Sequence, residues 1–343
     1  MKFLQPAMTP AQRLDWLDMA KGIGMILVVY GHSYGPSNFY LFHMPLFFIL
    51  SGFLFNSEQK FGTYLYKKFT SLYIPFAGWD FIVMTIRLIA AQQSGLLTQK
   101  LLDGRVENMK LMFLTVGKDG EYMGATIVYK LVDMIIPNVK SKQKIILLIF
   151  GLVAIYGFQN TLPNGQSRTL ILGFFFALGR FLKFYEESFE RFTSMIMALL
   201  VGVLFWVLSD FTRADMGNNE YQNTPLFVVC ALLGSYIVIC ISMCLERSNF
   251  SLIETIRKPL RFLGTNTLDI LLWQFVAFRF CVAIQLGLQG LPVTEVFAQE
   301  SRYYTDNGWW VLYLVIGIIL PLIWGWFLRK GPWGWVLKKL HLV

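Results

Sequence analysis

Long apolar runs limit this chain's folding options more than any other feature. Residues 226–245, LFVVCALLGSYIVICISMCL, contain no Asp, Glu, Lys or Arg. Several other runs also approach the roughly 20 residues that a helix needs to cross a bilayer. The composition agrees: 55% of the 343 residues are hydrophobic and only 15% are charged, against about 25% charged in an average soluble domain. The runs are continuous rather than alternating, which argues against a membrane β-barrel. The pattern therefore predicts an all-α polytopic membrane protein of about ten transmembrane helices in one bundle. The predicted spans are 16–34, 40–56, 71–91, 121–137, 144–158, 169–184, 192–210, 225–245, 266–286 and 309–328. No linker or repeat divides the sequence, so residues 1–343 read as a single integral-membrane domain.

The formal net charge is +9. In a membrane protein such an excess reads as basic cytoplasmic loops, and no basic tract interleaved with aromatics points to nucleic acid. With the N-terminus inside, 18 of the 30 basic residues fall in cytoplasmic segments and 7 in outer loops. Both termini are thus expected in the cytoplasm, 1–15 as an amphipathic lead-in and 329–343 as a tail. A bacterial inner membrane, or another plasma membrane, suits this arrangement. Cys230, Cys240, Cys244 and Cys281 all lie in apolar runs and read as small buried hydrophobes. No metal-ligand pattern accompanies them.

The first predicted span holds an anomaly. In KGIGMILVVYGH, Lys21 and His32 bracket ten residues that carry no ionisable group apart from the Tyr30 phenol. Eleven positions are just over three helical turns, so the two side chains share a face to within about 20°, roughly 16 Å apart along the axis. That is the reach of a pantetheine arm lying between phosphates at Lys21 and a thioester at His32. Two readings of Lys21 stand: an anion-binding group, or a lysine snorkelling to headgroups. Ionisable groups inside spans are costly and mark function by default. Histidine serves as a base near neutral pH. A short turn leads into FHMPLFFILSGFLF, residues 42–55, which brings His43 to the same outer level, and Ser51 and Gly52 suit close helix packing. Arg87, Lys130, Arg180, Asp269 and Arg279 are expected to face the interior and pair with one another. Asn266 reads as a helix cap with Asp269 in the first turn.

LDWLDMAKGIGMILVVYGH followed by FHMPLFFILSGFLF resembles the N-terminal signature of the membrane-bound acyltransferase family 3. It is most similar to the fucose 4-O-acetylase-like branch. That signature has a basic residue, ten residues, then histidine, here Lys21 and His32. KKFTSLYIPF resembles the family's basic segment before the third span, with Lys68 and Ser71 where two arginines often stand. GEYMGATIVYKL carries Tyr122 in place of a tryptophan. LGTNTLDILLWQF has Gln274 where a histidine often closes the motif. The resemblance implies O-acyl transfer, with acetyl the expected group, from cytosolic acyl-CoA to a hydroxyl of a cell-surface or lipid-linked carbohydrate. No metal is expected. His32 is then the candidate general base, and His43 positions the acceptor or hydrogen-bonds His32. Lys21, helped by Lys67 and Lys68, is the candidate site for donor phosphates. Tyr30, Asn38 and Glu121 are candidate cavity residues for the acceptor. Direct transfer and an acyl-histidine intermediate both remain open, as does homo-oligomerisation. Two rival readings share the ten spans: a transporter or flippase of a lipid-linked sugar, and a non-catalytic component of a glycan-assembly complex.

Overall fold

A computed structural model describes residues 14–34, 38–97, 99, 102–103, 121–162, 165–248, 250–297 and 305–343, apart from the side chains of Tyr34, Glu121 and Tyr122. Helix α1 (Asp15–Tyr34) leads through a 3-10 turn (Asn38–Leu41) into α2 (His43–Phe53). Next come α3 (Phe61–Lys68), a π turn (Phe69–Tyr73) and α4 (Ile74–Gln93), which form one continuous helical rod. Then follow α5 (Glu121–Ile135), α6 (Lys142–Gln159), α7 (Gln166–Phe184), the short α8 (Glu186–Glu190) and α9 (Met195–Ser209). A two-residue antiparallel ladder pairs Ala214–Asp215 with Glu220–Tyr221. The chain ends in α10 (Thr224–Arg247), α11 (Ser251–Thr265), α12 (Thr267–Leu288), α13 (Trp309–Lys330) and α14 (Gly334–Lys339).

Each of the ten apolar segments read from the sequence coincides with a helix. Among the described residues, five helical stretches are long and apolar enough to cross a membrane: Phe61–Gln93, Lys142–Gln159, Thr224–Arg247, Thr267–Leu288 and Trp309–Lys330. Helices α2 and α9 are apolar but only 11 and 15 residues long. Helix α1 has the length, at 20 residues, but carries Asp15, Asp18 and Lys21. The outer faces suit lipid. On α9, Leu199, Val203 and Trp206 are 69%, 59% and 66% exposed, an apolar face that water would not tolerate at this extent.

Local chemistry sets the boundaries. Ser194 caps α9 by accepting from the Met197 N–H, and Asn223 caps α10 by accepting from the Leu226 N–H. The π turn lies just ahead of Pro75. Proline has no N–H to offer the carbonyl four residues back, and a widened turn absorbs that loss. The hydroxyls of Thr70 and Ser71 add bonds to the Tyr66 and Lys67 carbonyls, at 2.9 and 2.6 Å.

Helix α1 joins two cores. The larger one gathers Trp16, Leu17, Phe42, Phe48, Phe55, Tyr129, Phe176 and Phe227 from α1, α2, α5, α7, α10 and their connections. The smaller one sets Met25, Val28 and Val29 of α1 against Ile270, Phe278 and Cys281 of α12 and Tyr313 of α13. Two glycine pairs let backbones meet. A Cβ on Gly22 would overlap the Leu260 carbonyl, and one on Gly264 would overlap that of Asp18, so α1 and α11 cross in direct contact. Gly52 and Gly179 do the same for α2 and α7, in keeping with the close packing expected at Gly52.

Helix α11 fills most of the connection left between the predicted spans 225–245 and 266–286. Its residues alternate with helical period: Leu260 and Leu263 reach the two cores, while Arg261 pairs with Asp15 and with Glu254.

Candidate active site

Helix α1 carries a stripe of Asp18, Lys21, Met25, Val28 and His32 at spacings of three and four. Its middle members pack against α12 and α13 in the smaller core. The Lys21-to-His32 face therefore looks at those two helices. At one end, Lys21 Nζ stands 3.5 Å from Asp18 Oδ1; the lysine side chain is 26% exposed and the carboxylate 9%. At the other end, His32 is half-buried, with its ring centroid 5.0 Å from that of Phe275 on α12.

His43 begins α2 and is buried. Its Nδ1 lies 2.9 Å from the Phe39 carbonyl. A carbonyl only accepts, so Nδ1 carries the proton and Nε2 is left as the acceptor. Tyr40 links the two histidines' surroundings. Its ring is 4.9 Å from the His43 ring, and its hydroxyl donates to the Gly31 carbonyl at 3.2 Å. The sequence carries no signal for Tyr40, because its role depends on how the 3-10 turn folds back on α1.

Other expected site residues fall in different places. Tyr30 packs edge-on between Phe39 and Trp310, with centroids 5.7 and 5.5 Å away. Asn38 donates to the Ser209 hydroxyl at 2.8 Å, tying the turn to the end of α9. Lys67 is exposed and Lys68 half-exposed on α3, with Lys68 Nζ 5.7 Å from the centre of the Tyr64 ring. Glu121 begins α5, but its side chain lies outside the described residues, as does that of Tyr122. Ser33 is buried and donates to the Tyr30 carbonyl at 2.9 Å, so its hydroxyl is engaged with the backbone.

Arg87, Lys130, Arg180 and Arg279 each donate to a backbone or hydroxyl oxygen. Arg87 donates to the Phe297 carbonyl and Arg279 to that of Val296. Lys130 donates to the Ser57 carbonyl at 2.7 Å and Arg180 to the Ser57 hydroxyl at 3.3 Å. Asp269 instead takes Arg329 of α13, at 2.6 Å. Asn266 occupies the cap position of α12 without capping it: its amide donates to the Phe262 carbonyl, and its oxygen lies 3.4 Å from Arg329. Among the described residues no group of three His, Cys, Asp or Glu side chains gathers as a metal site would.

A helical bundle with lipid-suited outer faces carries a half-buried histidine at one end of a packed stripe and a lysine at the other, a plan that fits a membrane-embedded protein. Residues 14–330 match the family model of the acyltransferase domain. The chain belongs to the acyltransferase 3 family and is a membrane acyltransferase. No curated protein and no solved structure matches it.

Proposed function

We propose that this acyltransferase moves an acyl group, acetyl foremost, from cytosolic acyl-CoA to a hydroxyl of a cell-surface or lipid-linked carbohydrate. Within the family we assign it to the fucose 4-O-acetylase-like branch. It acts in the inner, or plasma, membrane as a ten-span bundle with both termini in the cytoplasm. Lys21, with Lys67 and Lys68, receives the donor's phosphates. His32 is the general base. The acceptor oxygen bonds to the thioester carbon while His32 takes the hydroxyl proton. The carbon–sulfur bond then breaks, and His32 returns the proton to the departing CoA sulfur. An acyl-serine route through the neighbouring Ser33 is disfavoured, because its hydroxyl is committed to the Tyr30 carbonyl. His43 and Tyr40 orient the acceptor, with Tyr30 and Asn38 of the same hairpin beside it.

The observation that carries this reading is the α1 stripe, with Lys21 and His32 at its two ends and one packed face between them. The test uses purified protein in nanodiscs, acetyl-CoA labelled in the acetyl group and a surface-glycan extract. Label should enter glycan with stoichiometric release of CoA thiol. Sugar movement across vesicles without CoA release would instead favour a transporter.

A further inference from the structure

Gln274 lies in the middle of α12 and is fully buried. Among the described residues, neither its Nε2 nor its Oε1 has a hydrogen-bond partner. A buried amide with two donors and an unmet carbonyl is costly and calls for a partner. The same helix shows what a satisfied glutamine looks like: Gln285 Oε1 accepts from the Tyr313 hydroxyl at 2.7 Å.

The position of Gln274 indicates what that partner is. Ile270 and Phe278, one turn to either side of it, pack in one core with Met25, Val28 and Val29 of α1. Helices α1 and α12 run the same way, since Asp18 meets Gly264 just before α12, while Val29 and Phe278 both abut Gly317. Phe275, the next residue, touches His32. Gln274 therefore stands beside the α1 stripe between the levels of Lys21 and His32.

We infer that Gln274 binds a secondary amide in the pantetheine arm of the donor, donating to its carbonyl and accepting from its N–H. This rests on the acyl-CoA reading above. An arm stretched from Lys21 to His32 carries two such amides between its diphosphate and its sulfur, and a primary amide complements each of them at both donor and acceptor. Because Gln274 is enclosed, α1 and α12 part to admit the arm.

Gln274→Leu nearly keeps the volume and removes the polar atoms. Without ligand, the variant should melt at the wild-type temperature or above it, since an unpaired buried amide is gone. Its affinity for CoA should fall about tenfold or more. Its affinity for adenosine 3′,5′-bisphosphate, which lacks the arm, should not change. Both are read by titration calorimetry on nanodisc-embedded protein, and Gln274→Met replaces the leucine variant if that one fails to fold. Unchanged CoA affinity, or an equal loss for both ligands, overturns the inference while leaving the acyl-CoA reading intact. A wild type that binds no CoA overturns both.

Discussion

The outer end of the first hairpin shows how one side chain fixes another. His43 commits its Nδ1 proton to the Phe39 carbonyl, and Tyr40 ties the same turn to the Gly31 carbonyl beside His32. His43→Leu leaves the Phe39 carbonyl without that donor, with an expected cost of about 1–3 kcal/mol, seen as a lower melting temperature in detergent. Tyr40→Phe keeps the ring and removes one hydrogen bond, for about 1 kcal/mol. With Tyr40 on the acceptor side, the substitution lowers the turnover number and leaves donor affinity unchanged. A Tyr40→Phe enzyme weakened only in donor affinity would contradict that placement. The spacing of Lys21 and His32 is legible in the sequence, because eleven residues of helix fix a face. The tautomer of His43 is not, because its partner depends on the path of a four-residue turn.

At the scale of elements, α1 is held by backbone contact with α11. Gly264→Leu forces a side chain into the Asp18 carbonyl and should cost at least about 1–3 kcal/mol. It should also weaken CoA binding by displacing Lys21, one turn further along α1. Gly62→Ala is the control: a Cβ there meets nothing within 4 Å, so stability should hold or rise slightly. The ion pairs of Arg261 with Asp15 and Glu254 are partly exposed. Arg261→Gln should therefore shift stability by no more than about 1 kcal/mol. Denaturant melts of these three variants separate packing from charge. Helix existence is readable wherever apolar runs are long. Helix α11 is not, because a charged amphipathic stretch reads equally well as a loop until its apolar side meets a partner. The capping role expected of Asn266 fails for a related reason: Arg329 arrives from α13, distant in sequence, and draws the amide oxygen.

For the whole molecule, transfer from a cytosolic donor requires α1 to start in the cytoplasm. Single cysteines placed at Lys60, Lys339 and Asn218, in a background with Cys230, Cys240, Cys244 and Cys281 replaced, report this with an impermeant maleimide on intact cells. Only the Asn218 position should label; labelling at Lys60, which follows the first hairpin, would put the start of α1 outside and separate Lys21 from cytosolic donor. The bundle class follows from composition, but the joining of two cores by α1 depends on long-range packing that no local pattern specifies. His32 as the proton-transfer group in acyl transfer is the proposal on which the rest of the mechanism depends. Comparing His32→Ala and His32→Gln with wild type, for both the rate of acetyl transfer and the affinity for acetyl-CoA, tests it without intermediaries. Turnover should fall by about 10²–10⁴-fold, with acetyl-CoA affinity within a few-fold of wild type. Full turnover in either variant would show that His32 is not the base.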